Sequence, residues 1–354
     1  MKNEESINTN ECQGHAISIK CMSEKLQGIP EPPKIFRGII RPSVGCFFGP
    51  SKTGKTTLAE NLALSIAAGL DEFLGEPIEC SNRRVLFVNM EEYYRSRTLR
   101  NQRQITAITN KYGLDQTWQE NVFVVDEEFP RYMLTDDHWK LLDKEIEKVQ
   151  PGIVVMDSVT RTTMDSIEDS SVSTKLMKRF REVAHKHNIA LIFIHHSQKM
   201  DNRPITISSL AGSRVIGQEM DFMIGINRTS LNVRYMKDVA YRYHPDDSEF
   251  VLKFEIDFNQ LINPVGEAHE SDVISAATNH SPALNDNDSI VQEMILELTG
   301  GDESIIIQAA ELYEKIVNTG ILSRPTLHAS LKRLENNGLI LKPEKGTYRI
   351  NNPS

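Results

Sequence analysis

The chain has 354 residues, four cysteines and a formal net charge of −9, enough for one large or two ordinary domains. The acidic balance excludes a global basic field for nucleic acid, so any DNA contact has to come from local patches. Cys12, Cys21, Cys46 and Cys80 show no C-x-x-C spacing and read as free thiols. With no membrane-length apolar run and a polar start, a cytoplasmic protein without a membrane partner is expected.

Residues 1–28 are polar and weakly patterned, and a flexible N-terminal arm is expected there. Ile29–Pro42 is punctuated by prolines and should run extended, because residues before proline avoid the helical region. Apolar Val44, Cys46, Phe47 and Phe48 then lead into Gly49, Pro50, Ser51, Lys52, Thr53, Gly54, Lys55, Thr56 and Thr57. This stretch satisfies G-x-x-x-x-G-K-[ST], and a helical run from Leu58 follows it. Strand, glycine loop and helix together are the context of a phosphate-binding loop. The glycines let successive N–H groups point inward at phosphate oxygens, and the helix adds its positive end. Lys55 is expected to reach the β- and γ-phosphates and Thr56 to hold Mg²⁺. The implied ligands are ATP and Mg²⁺.

Val85–Glu92 is a short apolar run ending in carboxylates, which suits a buried parallel strand whose polar end lies at the ligand-binding edge of the sheet. Glu91 and Glu92 read equally as site residues or as acids at the N-terminus of the helix that follows. A strand is expected over 122–128 and a helix over 135–149. Gly152–Val159 is a buried strand ending in Asp157 and Ser158, and an acid there, downstream of a P-loop, is placed to hold a Mg²⁺-bound water. A helix over 172–187 precedes a strand over 190–199 that carries His195 and His196. Adjacent strand residues face opposite ways, so the pair reads as one histidine toward the nucleotide and one toward the interior, with no metal site. A polar loop over 201–214 precedes strands over 221–228, 233–243 and 250–257.

This order predicts an α/β fold with a mainly parallel sheet and an antiparallel edge, spanning 29–263. Residues 264–287 are rich in Ser, Ala, Asn, Asp and His and read as a linker. Helices over 289–298, 305–317 and 323–336, then a short hairpin, predict a small C-terminal winged helix-turn-helix domain over 288–352, its third helix in the major groove. In that third helix and the hairpin, Arg324, Lys332, Arg333, Lys342, Lys345 and Arg349 face only Glu335 and Glu344, the footprint of a phosphate backbone. The alternative is a module that contacts protein.

Taken in order, GPSKTGKT, NMEE, VVMDS and IHHSQK resemble the RecA-fold ATPases, and most of all the RepA-type plasmid replicative helicases and their relatives in phages and other mobile elements. PPKIFRGII, LGEPI, SIEDSSVS and LAGSRVIGQEMDFMIGINR extend the resemblance over residues 30–258. It implies a RecA-like P-loop core, with Glu91 activating the attacking water, Asp157 at the metal and His196 sensing the γ-phosphate. It also implies an arginine finger acting on the neighbouring subunit's ATP. Arg242 is the first choice, but Ala240-Tyr241-Arg242 departs from the Lys-x-Arg of many relatives, which leaves Arg228 and Arg214 as competitors.

The resemblance further implies a homo-oligomeric ring, typically a hexamer, with single-stranded DNA in its channel. The loops over 161–171 and 199–214 would line that channel, with Lys199, Arg203 and Arg214 on the backbone. Neither loop is aromatic, so base stacking is not expected on the channel wall. The implied activity is that of a DNA helicase or single-strand translocase. The alternatives are an ATP-gated regulator or recombination factor without unwinding activity, and an ATPase that serves protein interactions.

Overall fold

Apolar runs buried on both faces need helices above and below them, and the chain supplies helices between its strands. The computed structural model describes residues 15–198, 200, 203–244, 249–279 and 286–351. The elements run α1 (Ile19–Leu26), β1 (Ser43–Gly49), α2 (Lys55–Ala68), a small hairpin of β2 (Glu72–Phe73) and β3 (Glu76–Pro77), β4 (Val85–Asn89), α3 (Tyr94–Tyr112), β5 (Val122–Val124), α4 (Asp136–Val149), β6 (Ile153–Asp157), α5 (Ser170–His187), β7 (Ala190–His196), α6 (Arg214–Gln218), β8 (Phe222–Arg228), β9 (Arg234–Tyr241), β10 (Phe250–Ile256), β11 (Ile262–His269) and α7 (Glu270–Asn279). After these come α8 (Asp286–Thr299), β12 (Ile307–Gln308), α9 (Ala309–Leu312), α10 (Arg324–Asn336), β13 (Ile340–Leu341) and β14 (Thr347–Ile350).

One nine-stranded sheet has the order β11-β10-β9-β8-β1-β7-β6-β4-β5. The block from β8 to β5 is parallel, and β9, β10 and β11 extend it antiparallel. Along β1 the side chains alternate between two cores, as the period of a strand requires. Val44, Cys46 and Phe48 meet Trp139 of α4 and Phe180 of α5 on one face. Phe47 meets Leu58 and Leu62 of α2 and Ile108 of α3 on the other. Thr135 and Asp169 cap α4 and α5 with their side chains, which fixes where each helix leaves its loop. The expected α/β architecture with a mostly parallel sheet is the one observed.

Several boundaries differ. The strand expected over 122–128 stops at Val124, because the Asp126 carboxylate accepts the N–H groups of Glu128 and Phe129 and turns the chain. The strand expected to run to Tyr243 ends at Tyr241, so Arg242 lies beyond it. Lys199, and the turn residues 245–248, lie outside the described residues. Within the expected flexible arm, Ser18 caps α1. Cys21 is disulfide-bonded, which corrects the reading of free thiols at that position, whereas Cys46 and Cys80 are free.

The larger correction concerns 264–287. Most of it is not a linker, since β11 pairs with β10 along the sheet edge and α7 buries Val273 and Ala277. An edge strand tolerates Pro264 and Gly266 and exposes alternate side chains, which is why its composition resembles a loop. Glu270, at the start of α7, is buried against Lys237 and the Tyr235 hydroxyl. Residues 280–285 lie outside the described residues.

The C-terminal residues form their own core, in which Val291 and Ile295 of α8 meet Leu312, Ile316, Leu327, Leu331 and Leu334. The helix expected over 305–317 begins later. Ile307 and Gln308 are strand residues paired with β14, and α9 continues as a wider turn over Tyr313–Val317. The small sheet has the order β12-β14-β13.

Candidate nucleotide site

The sheet register assembles the site. Gly49 pairs with His196, and Asn89 pairs with Asp157, so four strand ends converge at the carboxyl edge of the parallel block, where open α/β sheets take their ligands. The loop from Gly49 to Thr57 joins β1 to α2. A Cβ at Gly49 would lie 1.9 Å from the Ile226 carbonyl oxygen, so only glycine permits the close approach of β8. Gly54 caps α2 at φ +106°, a left-handed conformation that glycine adopts without cost.

Lys55 is the first residue of α2, and its Nζ donates to the Pro50 carbonyl at 2.8 Å, which folds the side chain over its own loop. Thr53 Oγ1 donates to the same carbonyl at 3.0 Å, while Ser51 and Lys52 are exposed. Burial holds the Lys55 ammonium down at about 8, against the opposing pull of Asp157 and Glu91. Thr56 Oγ1 donates to Asp157 Oδ2 at 2.7 Å. Burial pushes the Asp157 carboxyl up to about 6, with the hydrogen bond from Thr56 working against that rise. A hydroxyl and a carboxylate brought together beside a phosphate loop form the oxygen donor set of a hard cation, so the residues present fit Mg²⁺.

Beyond β4 the Asn89 side chain accepts the backbone N–H groups of Glu91 and Glu92 and turns the chain into α3. The two glutamates then part. Glu92 joins Arg100, which also holds Glu60 of α2. Glu91 turns toward the end of β6, where its Oε1 accepts from the Ser158 hydroxyl and from Thr160 Oγ1 at 3.2 Å. Arg161 Nε lies 3.9 Å from the same oxygen. Thr160 and Arg161 carry no motif in the sequence, whereas Ser158 closes the VVMDS run and so had to lie at this edge.

The histidines divide as the strand period requires. His195 is fully buried, and its Nε2 donates to the Ala211 carbonyl at 2.8 Å. Burial lowers it to about 4, so it is neutral. His196 is half-buried, and burial and the nearby Lys55 lower it while Glu91 acts in the opposite direction.

The other expected site residues lie apart. Arg242 is ion-paired with Asp221 at 2.9 Å. Asp221 also accepts the Val44 N–H near the start of β1, so Arg242 sits at the sheet edge opposite its own P-loop. Arg228 ends β8 on the P-loop edge and donates to Asn232. Arg203 and Arg214 are exposed, the latter opening α6.

In the C-terminal unit Arg324 and Lys332 are exposed on α10, and Lys345 is exposed between β13 and β14. Arg333 turns instead to the buried Asp288 of α8, at 2.7 Å. This corrects its place in the basic footprint, because the guanidinium is already committed to joining two helices. His328 takes a place on the exposed face one turn from Arg324, with its Nε2 2.5 Å from the Tyr313 hydroxyl.

Among the described residues no helix is long and apolar enough to cross a membrane. A family model described as an AAA domain (AAA_25) matches residues 21–202, just over half of the chain and all of the sheet edge that carries the P-loop, Glu91, Asp157 and His196.

Proposed function

The chain belongs to the AAA domain family, and on that premise we propose that it is an ATP-hydrolysing, ring-forming DNA motor, a helicase or single-strand translocase. The observation that carries the ATPase half is the division of the two glutamates. Glu92 is bound by Arg100, which leaves Glu91 directed at the edge that holds Lys55, Thr56 and Asp157. In this reading the loop N–H groups and Lys55 bind the phosphates of ATP, and Thr56 and Asp157 hold Mg²⁺, which neutralises charge on the phosphate oxygens when bound. Glu91 orients the attacking water and takes its proton. His196, beside Lys55, senses the terminal phosphate.

Arg242 lies at the far edge of the sheet from its own P-loop, which suits a finger reaching the ATP of a neighbouring copy in a head-to-tail ring such as a hexamer. It would have to leave Asp221 to do so. Arg203 and Arg214, exposed on the segment after β7, would meet single-stranded DNA in the channel, together with Lys199. The C-terminal unit is read as a winged helix that sets α10 on duplex DNA through Arg324, Lys332 and Lys345.

A specific observation favours a second reading. The C-terminal unit has its own core and an exposed basic face, which suits an ATP-gated regulator or recombination factor that assembles on duplex without unwinding it. ATP-dependent strand displacement on forked duplexes with 5′ or 3′ tails separates the two. Unwinding that is lost in Glu91→Gln supports the motor. ATPase activity and DNA binding without displacement support the regulator.

A further inference from the structure

Arg161 carries no motif, yet it stands between the expected water-activating carboxylate and a loop from a different part of the chain. Its Nε is 3.9 Å from Glu91 Oε1. Its guanidinium carbon lies 4.6 Å from the centre of the Tyr132 ring, and its Nη1 donates to the Tyr132 hydroxyl. Its carbonyl accepts the N–H of Met133 at 2.8 Å, so the segment after Asp157 and the segment before α4 are joined through both backbone and side chain. Arg161 is about 30% exposed and Tyr132 about 44%, so the pair lies at the surface of the site and is not a core contact.

We propose that Arg161 is a positioning residue that acts on hydrolysis through Glu91, with Tyr132 holding its guanidinium in place. Ser158, Thr160 and Arg161 all meet the same carboxylate oxygen, Oε1. A carboxylate gripped on one oxygen keeps a fixed rotamer and presents the other to the attacking water. The Ser158 and Thr160 hydroxyls hold Oε1 by hydrogen bonds, and a guanidinium kept over the Tyr132 ring adds a charge on the same oxygen with little further loss of freedom. Displacing a reacting group by about 1 Å can cost on the order of 100-fold in rate.

The inference rests on the reading of Glu91 as the group that activates water, and the test separates the two. Steady-state ATP hydrolysis and the affinity for a non-hydrolysable ATP analogue are measured on the full chain with Mg²⁺, for wild type, Glu91→Gln, Arg161→Ala, Arg161→Lys and Tyr132→Ala. Glu91→Gln that keeps normal turnover sinks the underlying reading. If Glu91→Gln is inactive, Arg161→Ala is expected to lower kcat roughly 10- to 100-fold and to leave analogue affinity within about two-fold. Arg161→Lys is expected to recover part of the rate, and Tyr132→Ala to fall between wild type and Arg161→Ala. Wild-type kcat in both Arg161→Ala and Tyr132→Ala overturns the proposal. So does a loss of analogue affinity that matches the loss of rate, which would place Arg161 on the nucleotide or in the general fold.

Discussion

Thr56 and Asp157, 101 residues apart in the chain, share a hydrogen bond of 2.7 Å in which the hydroxyl donates to Oδ2. The carboxyl is buried and its pKa is raised from 3.8 to about 6. A raised carboxyl pKa means that the fold disfavours the charged form. The stability it contributes is complete below about pH 4 and is lost as pH rises through 6. Asp157→Asn is therefore expected to stabilise the nucleotide-free protein at pH 7.5, by on the order of 1–3 kcal/mol, and to abolish the Mg²⁺ dependence of nucleotide binding. Thermal melts at pH 4 and pH 7.5 check the first effect, because the stabilisation should vanish at the lower pH. Nucleotide titrations with and without Mg²⁺ check the second.

The neighbouring glutamates should behave oppositely. Glu91→Gln is expected to bind ATP normally and to lose roughly 10²- to 10⁴-fold in turnover, the range for a positioned general base. Glu92→Gln leaves Glu60 as the charged partner of Arg100, so it should cost about 1 kcal/mol of stability and retain most turnover. If Glu92→Gln is the inactive variant, the assignment is reversed.

His195 makes folding sensitive to acid. Burial lowers its pKa from 6.5 to about 4, so the unfolded chain takes up a proton there before the folded one does. The stabilisation is complete above pH 6.5 and is lost as pH falls toward 4, up to about 3 kcal/mol. Urea unfolding at pH 7 and pH 5 should show a smaller loss in His195→Gln than in wild type. An equal loss would place the acid sensitivity elsewhere.

Glu270 belongs to the ATPase unit, where Lys237, Tyr235 and the Ile205 N–H surround its carboxylate. Removing it leaves a buried ammonium unpaired, a change that typically costs about 3–5 kcal/mol. Glu270→Ala should therefore be strongly destabilised by chemical denaturation. A chain ended after residue 263 should fail to fold, whereas one ended after 279 should keep nucleotide binding. A well-folded chain ending at 263 would show that β11 and α7 are dispensable.

In the C-terminal unit two kinds of arginine should separate. Arg324→Ala or Lys332→Ala should weaken duplex binding and reduce its salt slope by about 1, as expected for the loss of a phosphate contact, with little change in melting. Arg333→Ala should instead destabilise the unit, because it leaves the buried Asp288 without its guanidinium partner. A salt slope unchanged by both Arg324→Ala and Lys332→Ala would argue for a protein-binding role.

Local chemistry made much of this molecule legible in the sequence. A P-loop needs its glycines, lysine and hydroxyl at fixed spacing, so residues 49–57 could be read directly. Asp157 could be read because a buried strand has to end at the sheet edge. Period-two alternation separated His195 from His196. Residue types alone left Glu91 and Glu92 alike and only the family resemblance pointed to Glu91; the physical difference between them belongs to the tertiary structure, because Arg100, which captures Glu92, is anchored by Glu60 from a different helix. Residues 264–279 looked like a linker because an edge strand and a lightly buried helix need little apolar sequence, and only pairing with β10 and the pocket around Glu270 gave them a place. Arg333 looked like its basic neighbours until α8 brought Asp288 against it. Arg161 was expected only as the start of a channel loop, and nothing in the sequence signalled its place beside Glu91, since Tyr132 and Glu91 meet only when two loops fold onto the same end of the sheet. Sequence determined the chemistry that depends on spacing along the chain, and tertiary structure decided which charge each ionised side chain would meet.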